Sequence, residues 1–442
     1  MSVEYRPPRA LSHPLPAGLR DLLPEETQRR RALARKVLEH FALHAFDLVI
    51  PPAFELAEVL EKGLGTLDPG DVLRFVEPES GEVCALRPDM TPQIARMVAS
   101  RLSGQPAPIR LCYEGTIVRR KQGRARRHRQ VPQAGVELYG APSPRGDEEA
   151  LRLLASVSRH VGLDSFVIDL GHAAISRSLV DVLPAPLSCD VTDALVHKDG
   201  ARLDALLSAK ESAMVPAKVA RAIVALPDLS GGFTGRSGNE VLDEAKALFA
   251  DTPAAEPLLE VAALWESARR TGFSGSGGPN DDLSEVLRID LGEVRHFAYY
   301  TGVIFHAVAP GPGEPYAAGG RYDDLLCRFG HAMPAVGLAL HLDAVAQARS
   351  AAGVVEERLP RVLVAMAAGG DAVVRQLRGK GVAAAETGDA GDAMRYAEAH
   401  RFTHVVMDTD GDEVRVVGVG GSGVDAVVDG DGVAELVMAA VI

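Results

Sequence analysis

Residues 294–345 carry three linked runs: VRHFAYYTGVIF at 294–305, AGGRYDDLL at 318–326 and PAVGLALHLDAV at 334–345. Tyr299, Tyr300 and Tyr322 supply flat phenols that can pack a ring and hydrogen-bond its polar edge, while Arg295 can grip a carboxylate through two parallel bonds. Together they suit a small zwitterion with an aromatic side chain. Gly319 and Gly320, just before Arg321 and Tyr322, let the backbone turn tightly or pass close to a ligand. A plainer reading of the same residues is that two adjacent tyrosines in a Val/Ile/Phe-rich run fill the two faces of a strand.

Composition narrows what surrounds this stretch. A chain of 442 residues with 47% hydrophobic content has ample material for a core and is roughly two to three domains long. Its net charge of −13 argues against a protein held to nucleic acid by general phosphate attraction, so tRNA is an unfavoured partner. The opening MSVEYRPPRALSHPLPAG has no apolar signal core, and no segment reaches the roughly 20 apolar residues of a membrane span, so the expectation is a cytoplasmic protein without membrane contact. Cys84, Cys112, Cys189 and Cys327 lack metal-site or redox spacing and read as buried free thiols; no metal or cofactor is expected.

Upstream, PEET at 24–27 opens a helix with Leu33, Val37, Leu38 and Phe41 on one face. FDLVI at 46–50 reads as a strand stopped by Pro51 and Pro52, and a helix follows at 56–61. Residues 72–76 and 83–86 flank the turn-forming residues EPESG and read as a hairpin. Asp89 or Thr91 is placed to cap the next helix, with Pro92 early in it. Strands at 111–118 and 133–139 flank a long basic loop, and a helix at 147–161 leads to a strand at 166–170. The pattern is α+β, a mostly antiparallel sheet with helices.

Between about 175 and 278 the Ala- and Leu-rich windows ARLDALLSAK and EVLDEAKALF predict a helical insertion, closed by the Gly-rich join SGSGGPNDD at 274–282; strand character resumes at 286–291. The first domain thus runs over 1–350. A second, 360–442, alternates strand and helix as a small parallel-sheet βαβ domain. It holds seven Lys or Arg against thirteen Asp or Glu, which makes it a poor RNA-gripping surface.

PAGLRDLLP (16–24), LRPDMT (86–91), the Arg119 strand and loop, QAGVE (133–137), YYTG (299–302), GGRYD (319–323) and AVGLAL (335–340) occur in the order seen in histidyl-tRNA synthetases, over about 330 residues. LRPDMTPQIARMVASRL, RLCYEGTIVR and QAGVELYG look closer still to the synthetase paralogues that serve as regulatory subunits of ATP phosphoribosyltransferase, the first enzyme of histidine biosynthesis. The resemblance implies a class II synthetase-like fold and a C-terminal domain resembling an anticodon-binding domain. It also implies a homodimer paired through 22–51, and a larger hetero-oligomer with a short-form catalytic phosphoribosyltransferase chain.

It further implies a histidine site. Asp89, where the synthetases have Glu, would hold the α-amino group with Thr91 and Gln133; Arg295 would pair with the carboxylate; Glu137 and Tyr300 would reach the imidazole nitrogens; Tyr299 and Tyr322 would line and close the pocket. Histidine presents an ammonium, a carboxylate and a two-nitrogen ring, and these side chains are complementary to it. For Glu137 alone, a carboxylate paired with some arginine at a strand end is the plain alternative.

The nucleotide side departs from the synthetase pattern. Their third motif ends Gly-(Met/Leu)-Glu-Arg, with the Arg clamping phosphates, and here the matching run is His341, Leu342, Asp343 and Ala344. Loss of a phosphate-clamping arginine costs on the order of 10³-fold or more in rate, so activation of histidine should be severely impaired. Lys121 replaces the acidic residue expected after Arg119, and Ala298 replaces an Asp.

The loop VRRKQGRARRHRQ at 118–130 has three readings: an anion or phosphate site built on Arg119, Arg124, Arg126, Arg127 and Arg129, a docking surface for an acidic partner, or a solvated charge run. For the whole chain, the leading expectation is a non-catalytic regulatory subunit that senses histidine. Against it stand a working histidine-tRNA ligase, suggested by the C-terminal domain, and a scaffold that keeps only the fold.

Overall fold

The computed structural model describes residues 15–64, 72–119, 128–208, 214–231, 235–269, 283, 285–294, 299–355, 359–387, 391–409, 413–420 and 423–439. The chain forms two compact units, Met1–Val354 and Val355–Ile442.

The first unit opens with α1 (Pro24–Leu43), β1 (Asp47–Leu48), β2 (Phe54–Leu56), α2 (Ala57–Leu64), β3 (Arg74–Val76), β4 (Val83–Leu86) and α3 (Thr91–Met97). There follow β5 (Ile109–Val118), β6 (Gln130–Tyr139), α4 (Arg145–His160) and β7 (Val167–His172). The insertion holds α5 (Ala173–Val180), α6 (Ala185–Val196), α7 (Gly200–Ser208), α8 (Ala217–Ala225), α9 (Gly238–Phe249) and α10 (Ala255–Arg269). The unit closes with β8 (Leu287–Ile289), β9 (Val303–Val308), β10 (Ala317–Arg321), β11 (Ala335–His341) and α11 (Leu342–Ala351).

Eight strands form one sheet in the order β1-β5-β6-β11-β10-β9-β7-β8, and β2-β4-β3 form a smaller one. The large sheet is α+β in character and antiparallel across its middle, but both ends are parallel pairs, β1 with β5 and β7 with β8. The second has a plain cause: β7 and β8 are joined by the whole helical insertion, and only a long crossover lets two strands run the same way.

Period-two alternation divides the sheet into two faces. Val136, Leu138, Val336, Leu338, Leu340 and Phe305 belong to the main core with residues of α1, α4, α11 and the insertion. Leu111, Tyr113, Tyr139, Ile304 and Ala335 turn the other way, into a second cluster with α2 and α3. β6 is buried on both faces along nearly its whole length, so polar residues on it stand out.

Three expectations need correction. Neither Asp89 nor Thr91 caps α3 as foreseen: Met90 is the N-cap and makes no side-chain bond, and the Thr91 hydroxyl is bonded to Glu137 instead. Only Cys84 and Cys112 are buried; Cys189 and Cys327 are exposed, Cys189 because the inward positions of α6 fall to Val191, Ala194 and Leu195. Tyr299 and Tyr300 lie ahead of β9, outside any strand.

The second unit contains β12 (Arg361–Ala365), α12 (Gly370–Gly379), β13 (Ala383–Glu386), α13 (Ala393–Ala399), β14 (His404–Asp408), β15 (Val414–Gly418), β16 (Asp425–Val428) and α14 (Val433–Ala439), with strand order β13-β12-β14-β15-β16. β12, β13 and β14 are parallel, as the βαβ pattern required, but β15 and β16 are antiparallel. The sheet is therefore mixed, because the short links on either side of β15 leave no room for a crossover helix. No helix among the described residues is long and apolar enough to cross a membrane.

Candidate functional site

Three ladder rows across the middle of the large sheet set out the site. In the first, Gln133 is flanked by Gly115 and His341. In the second, Tyr113, Gly135, Ala339, Ala318 and His306 lie side by side. The third holds Leu111, Glu137, Gly337, Gly320 and Ile304. Ala318 and Ala339 are only half-buried although β10 and β11 are central strands. The sheet face is therefore open over these two methyl groups.

The glycines of the third row are there for room. A Cβ at Gly337 would lie 2.1 Å from Glu137 Oε2 and 2.6 Å from the Tyr322 hydroxyl. One at Gly320 would meet the Tyr300 ring at 2.9 Å. The pair Gly319–Gly320 is thus strand backbone that lets side chains close in, rather than a turn.

α3 meets this face with its first residues. Thr91 donates its hydroxyl to Glu137 Oε1 at 2.6 Å. Asp89 Oδ1 accepts the Met90 amide at 2.7 Å, and Asp89 Oδ2 accepts the Tyr299 hydroxyl at 2.8 Å. The tyrosines of the opening stretch pack on one another, Tyr299 to Tyr300 at 4.7 Å and Tyr299 to Tyr322 edge-on at 5.6 Å between ring centroids.

Among the described residues, two buried carboxyls set the electrostatics of the site. Asp89 and Glu137 are both buried, at 5% and 1% exposure. Burial drives the Glu137 carboxyl well above its ordinary range; the neighbouring Asp89 adds to this, and the Thr91 bond opposes it. Burial also raises Asp89, against the Tyr299 hydroxyl, the Arg119 charge and the two amides that favour its ionised form. Three buried polar atoms on this face have no hydrogen-bond partner, Gln133 Oε1, Tyr139 Oη and Tyr322 Oη, and the Tyr113 hydroxyl is shared with Thr91 and Glu137. Buried polar groups are normally satisfied, so orphans gathered in one place mark room for a bound molecule or ordered water. Glu137 is not an arginine-paired strand-end carboxylate: its partner is Thr91.

The structure thus brings Asp89, Thr91, Gln133, Glu137, Tyr299, Tyr300 and Tyr322 to one place. Arg295 lies outside the described residues, as do Ala298, Lys121, Arg124, Arg126 and Arg127. Arg129 is taken up with backbone, donating from Nε to Arg119 O at 3.1 Å. Ala344 sits in the first turn of α11 and is packed in the main core, so it offers only a methyl; its neighbour Asp343 accepts from Arg20 at 3.1 Å.

Sequence reading missed several residues that shape the site. Tyr113 and Tyr139 were visible as alternate positions on their strands, but nothing local singled out their hydroxyls. Arg177, from the insertion, donates to Tyr300 O at 3.0 Å and so holds the tyrosine pair from a segment that looked separate. Arg321 supports the site from below: it is buried, and it donates to Asp147 Oδ1 at 2.7 Å, Asp323 Oδ1 at 2.9 Å and Ala141 O at 3.2 Å.

The family model for histidyl-tRNA synthetase matches residues 18–345, the span that builds this sheet and its pocket. Over 337 residues the chain is 42% identical to the ATP phosphoribosyltransferase regulatory subunit of Anaeromyxobacter sp. (strain K), covering 76% of this chain and 90% of that one. The protein of the same name from Moorella thermoacetica is 35% identical over 385 residues, 85% of this chain and 92% of that one. Among solved structures, a Bacillus halodurans protein described as an ATP phosphoribosyltransferase regulatory subunit/histidyl-tRNA synthetase superposes with a TM-score of 0.73 at 24% identity, over 91% of this chain and 100% of that one. A histidine–tRNA ligase subunit from Alicyclobacillus acidocaldarius gives a TM-score of 0.64 at 29% identity, over 78% and 98% of the two chains. The chain therefore belongs to the histidyl-tRNA synthetase family, in its branch of ATP phosphoribosyltransferase regulatory subunits.

Proposed function

We propose that this chain is the non-catalytic regulatory subunit of a hetero-oligomeric ATP phosphoribosyltransferase, and that free histidine binds at Asp89, Thr91, Gln133, Glu137, Tyr299, Tyr300 and Tyr322 as its feedback signal. The observation that carries the reading is the pair of buried carboxyls, Asp89 and Glu137, set among partnerless polar atoms above Gly337. An ammonium and a ring N–H are what such a pair lacks, and a ligand bringing both would satisfy it. Arg295 supplies the carboxylate contact in this reading. The small residues at Ala339 and Ala318 leave room for the amino-acid backbone.

Regulation follows if histidine binds one quaternary state of the complex better than another. A cytoplasmic homodimer joined through 22–51 is part of the proposal. Its support is the exposure in that segment of Leu23, Leu43, Leu48 and Ile50, apolar side chains that pairing would cover.

The test is co-expression with a short-form catalytic chain. ATP and phosphoribosyl pyrophosphate should turn over only in the mixture, and histidine should change the rate. Calorimetry on the isolated chain should show histidine binding; its absence there and in the complex would remove the sensor role. Rapid histidine-dependent ATP–pyrophosphate exchange would instead mark the chain as a ligase.

A further inference from the structure

Across the three rows, the height of the sheet face changes sharply at one end. Along β11 the residues facing the pocket are Gly337, Ala339 and His341: a bare backbone, a methyl and an imidazole. The partner positions at that end are also filled. Gln133 stands directly across from His341. Gly115 is bare, but the Arg87 guanidinium lies over it, with Nη2 2.6 Å from where a Cβ would be. Arg87 is fixed in that place by donating to Thr116 O at 2.9 Å and Pro51 O at 3.1 Å. His341 itself is 8% exposed at the end of β11, so its ring is already enclosed.

We infer that Arg87, Gln133 and His341 form an end wall that limits the pocket to a single free amino acid, and that His341 is the residue which excludes an attached or neighbouring nucleoside. The inference rests on the reading of the pocket as an amino-acid site. From the His341 row to the Glu137 row is four residues of strand, about 13 Å at 3.3 Å per residue. That span accommodates an amino acid with its ring against Glu137 and its backbone over Ala339. An aminoacyl-nucleotide laid along β11 in that direction is longer, and would meet the His341 ring.

The synthetase motif has glycine at the position of His341 and arginine at that of Ala344. The two substitutions act differently. Ala344 is packed in the main core and removes a charge. His341 lies on the pocket face and removes space. Space is the prior requirement, since a phosphate clamp is useless to a nucleotide that cannot enter.

The test compares wild type, His341→Gly, His341→Ala and Ala344→Arg. Calorimetry measures histidine and the non-hydrolysable histidyl-sulfamoyl-adenosine, and equilibrium dialysis measures ATP alone. Wild type should bind histidine and bind the sulfamate at least about tenfold more weakly, a difference of 1.4 kcal/mol or more. His341→Gly should bind the sulfamate at least as tightly as histidine and gain ATP binding, and Ala344→Arg should do neither. His341→Ala should follow His341→Gly in direction, so that a folding defect confined to the glycine variant does not decide the outcome. Equal binding of both ligands by wild type, or recovery of ATP binding by Ala344→Arg alone, overturns the role of His341. Failure of wild type to bind histidine, together with a gain of ATP binding in His341→Gly, removes the amino-acid reading and leaves the wall standing.

Discussion

Thr91, the first residue of α3, donates its hydroxyl to Glu137 Oε1 on β6 at 2.6 Å, joining two segments 46 positions apart. The bond leaves Glu137 Oε2 aimed over Gly337, toward the ligand. Thr91→Val keeps the shape and removes the donor. Histidine affinity should fall about tenfold, the usual effect of leaving a buried acceptor unpaired. Unchanged affinity by calorimetry would show that Thr91 does not orient Glu137 for a ligand.

Glu137 makes stability depend on pH. Its folded pKa is raised above the ordinary 4.5 by burial, so the native state holds a proton that the unfolded chain releases. The carboxyl is not penalised at acid pH, and stability is lost as pH rises toward the folded pKa. Glu137→Gln removes that loss. Its melting temperature should match wild type below pH 4.5 and exceed it increasingly as pH rises from there toward the raised folded pKa, while histidine binding falls. A constant offset across that range would contradict the assignment.

Gly337→Ala places a methyl 2.1 Å from Glu137 Oε2 and 2.6 Å from the Tyr322 hydroxyl. Histidine binding should weaken by about a hundredfold or more, since a close-packed site cannot absorb the overlap. Calorimetry showing less than a threefold change would place the ligand elsewhere.

Arg321→Met should cost about 3–5 kcal/mol in denaturant unfolding, because Asp147 would keep a buried charge without its partner. Replacing Asp147 by Asn in the same background should recover part of the loss. A single-variant cost below about 1 kcal/mol, the range of exposed pairs, would reduce the bond to a surface contact.

His40 is stacked on His160 at 4.6 Å, and its Nε2 is 2.8 Å from Ser156 Oγ. Burial, and then the neighbouring His160 and His44, lower its pKa from 6.5 to about 4. The unfolded chain therefore takes up a proton that the native state refuses, and stability is lost as pH falls from 6.5 toward 4. The loss amounts to roughly 3 kcal/mol at most. His40→Gln should flatten the melting temperature over that interval, and a slope equal to wild type would exclude His40 as its source.

The order of elements was legible because helix periodicity and strand alternation are local. The helix from Pro24, the pair β5 and β6, the insertion and the βαβ of the second unit all come from spacings of two to four residues. The direction of the end strands was not legible. β7 and β8 pair in parallel because of what lies between them, and β15 and β16 reverse because little does. Arg177 likewise had no signal in its own neighbourhood, since its role is to hold a carbonyl 123 positions away.

The sequence by itself determined which groups are present: the Asp, Thr, Gln, Glu and Tyr side chains, the glycines beside them, and His341 and Ala344 where the synthetase pattern has Gly and Arg. Their chemistry is set by covalent structure and needs no fold to be read. Only the tertiary structure decided their relations. Strand register places His341 beside Gln133 on the pocket face. Packing sends Ala344 to the core. Burial keeps Asp89 and Glu137 from water. Register, packing and burial depend on segments distant in sequence meeting in space, and so they have no local signature.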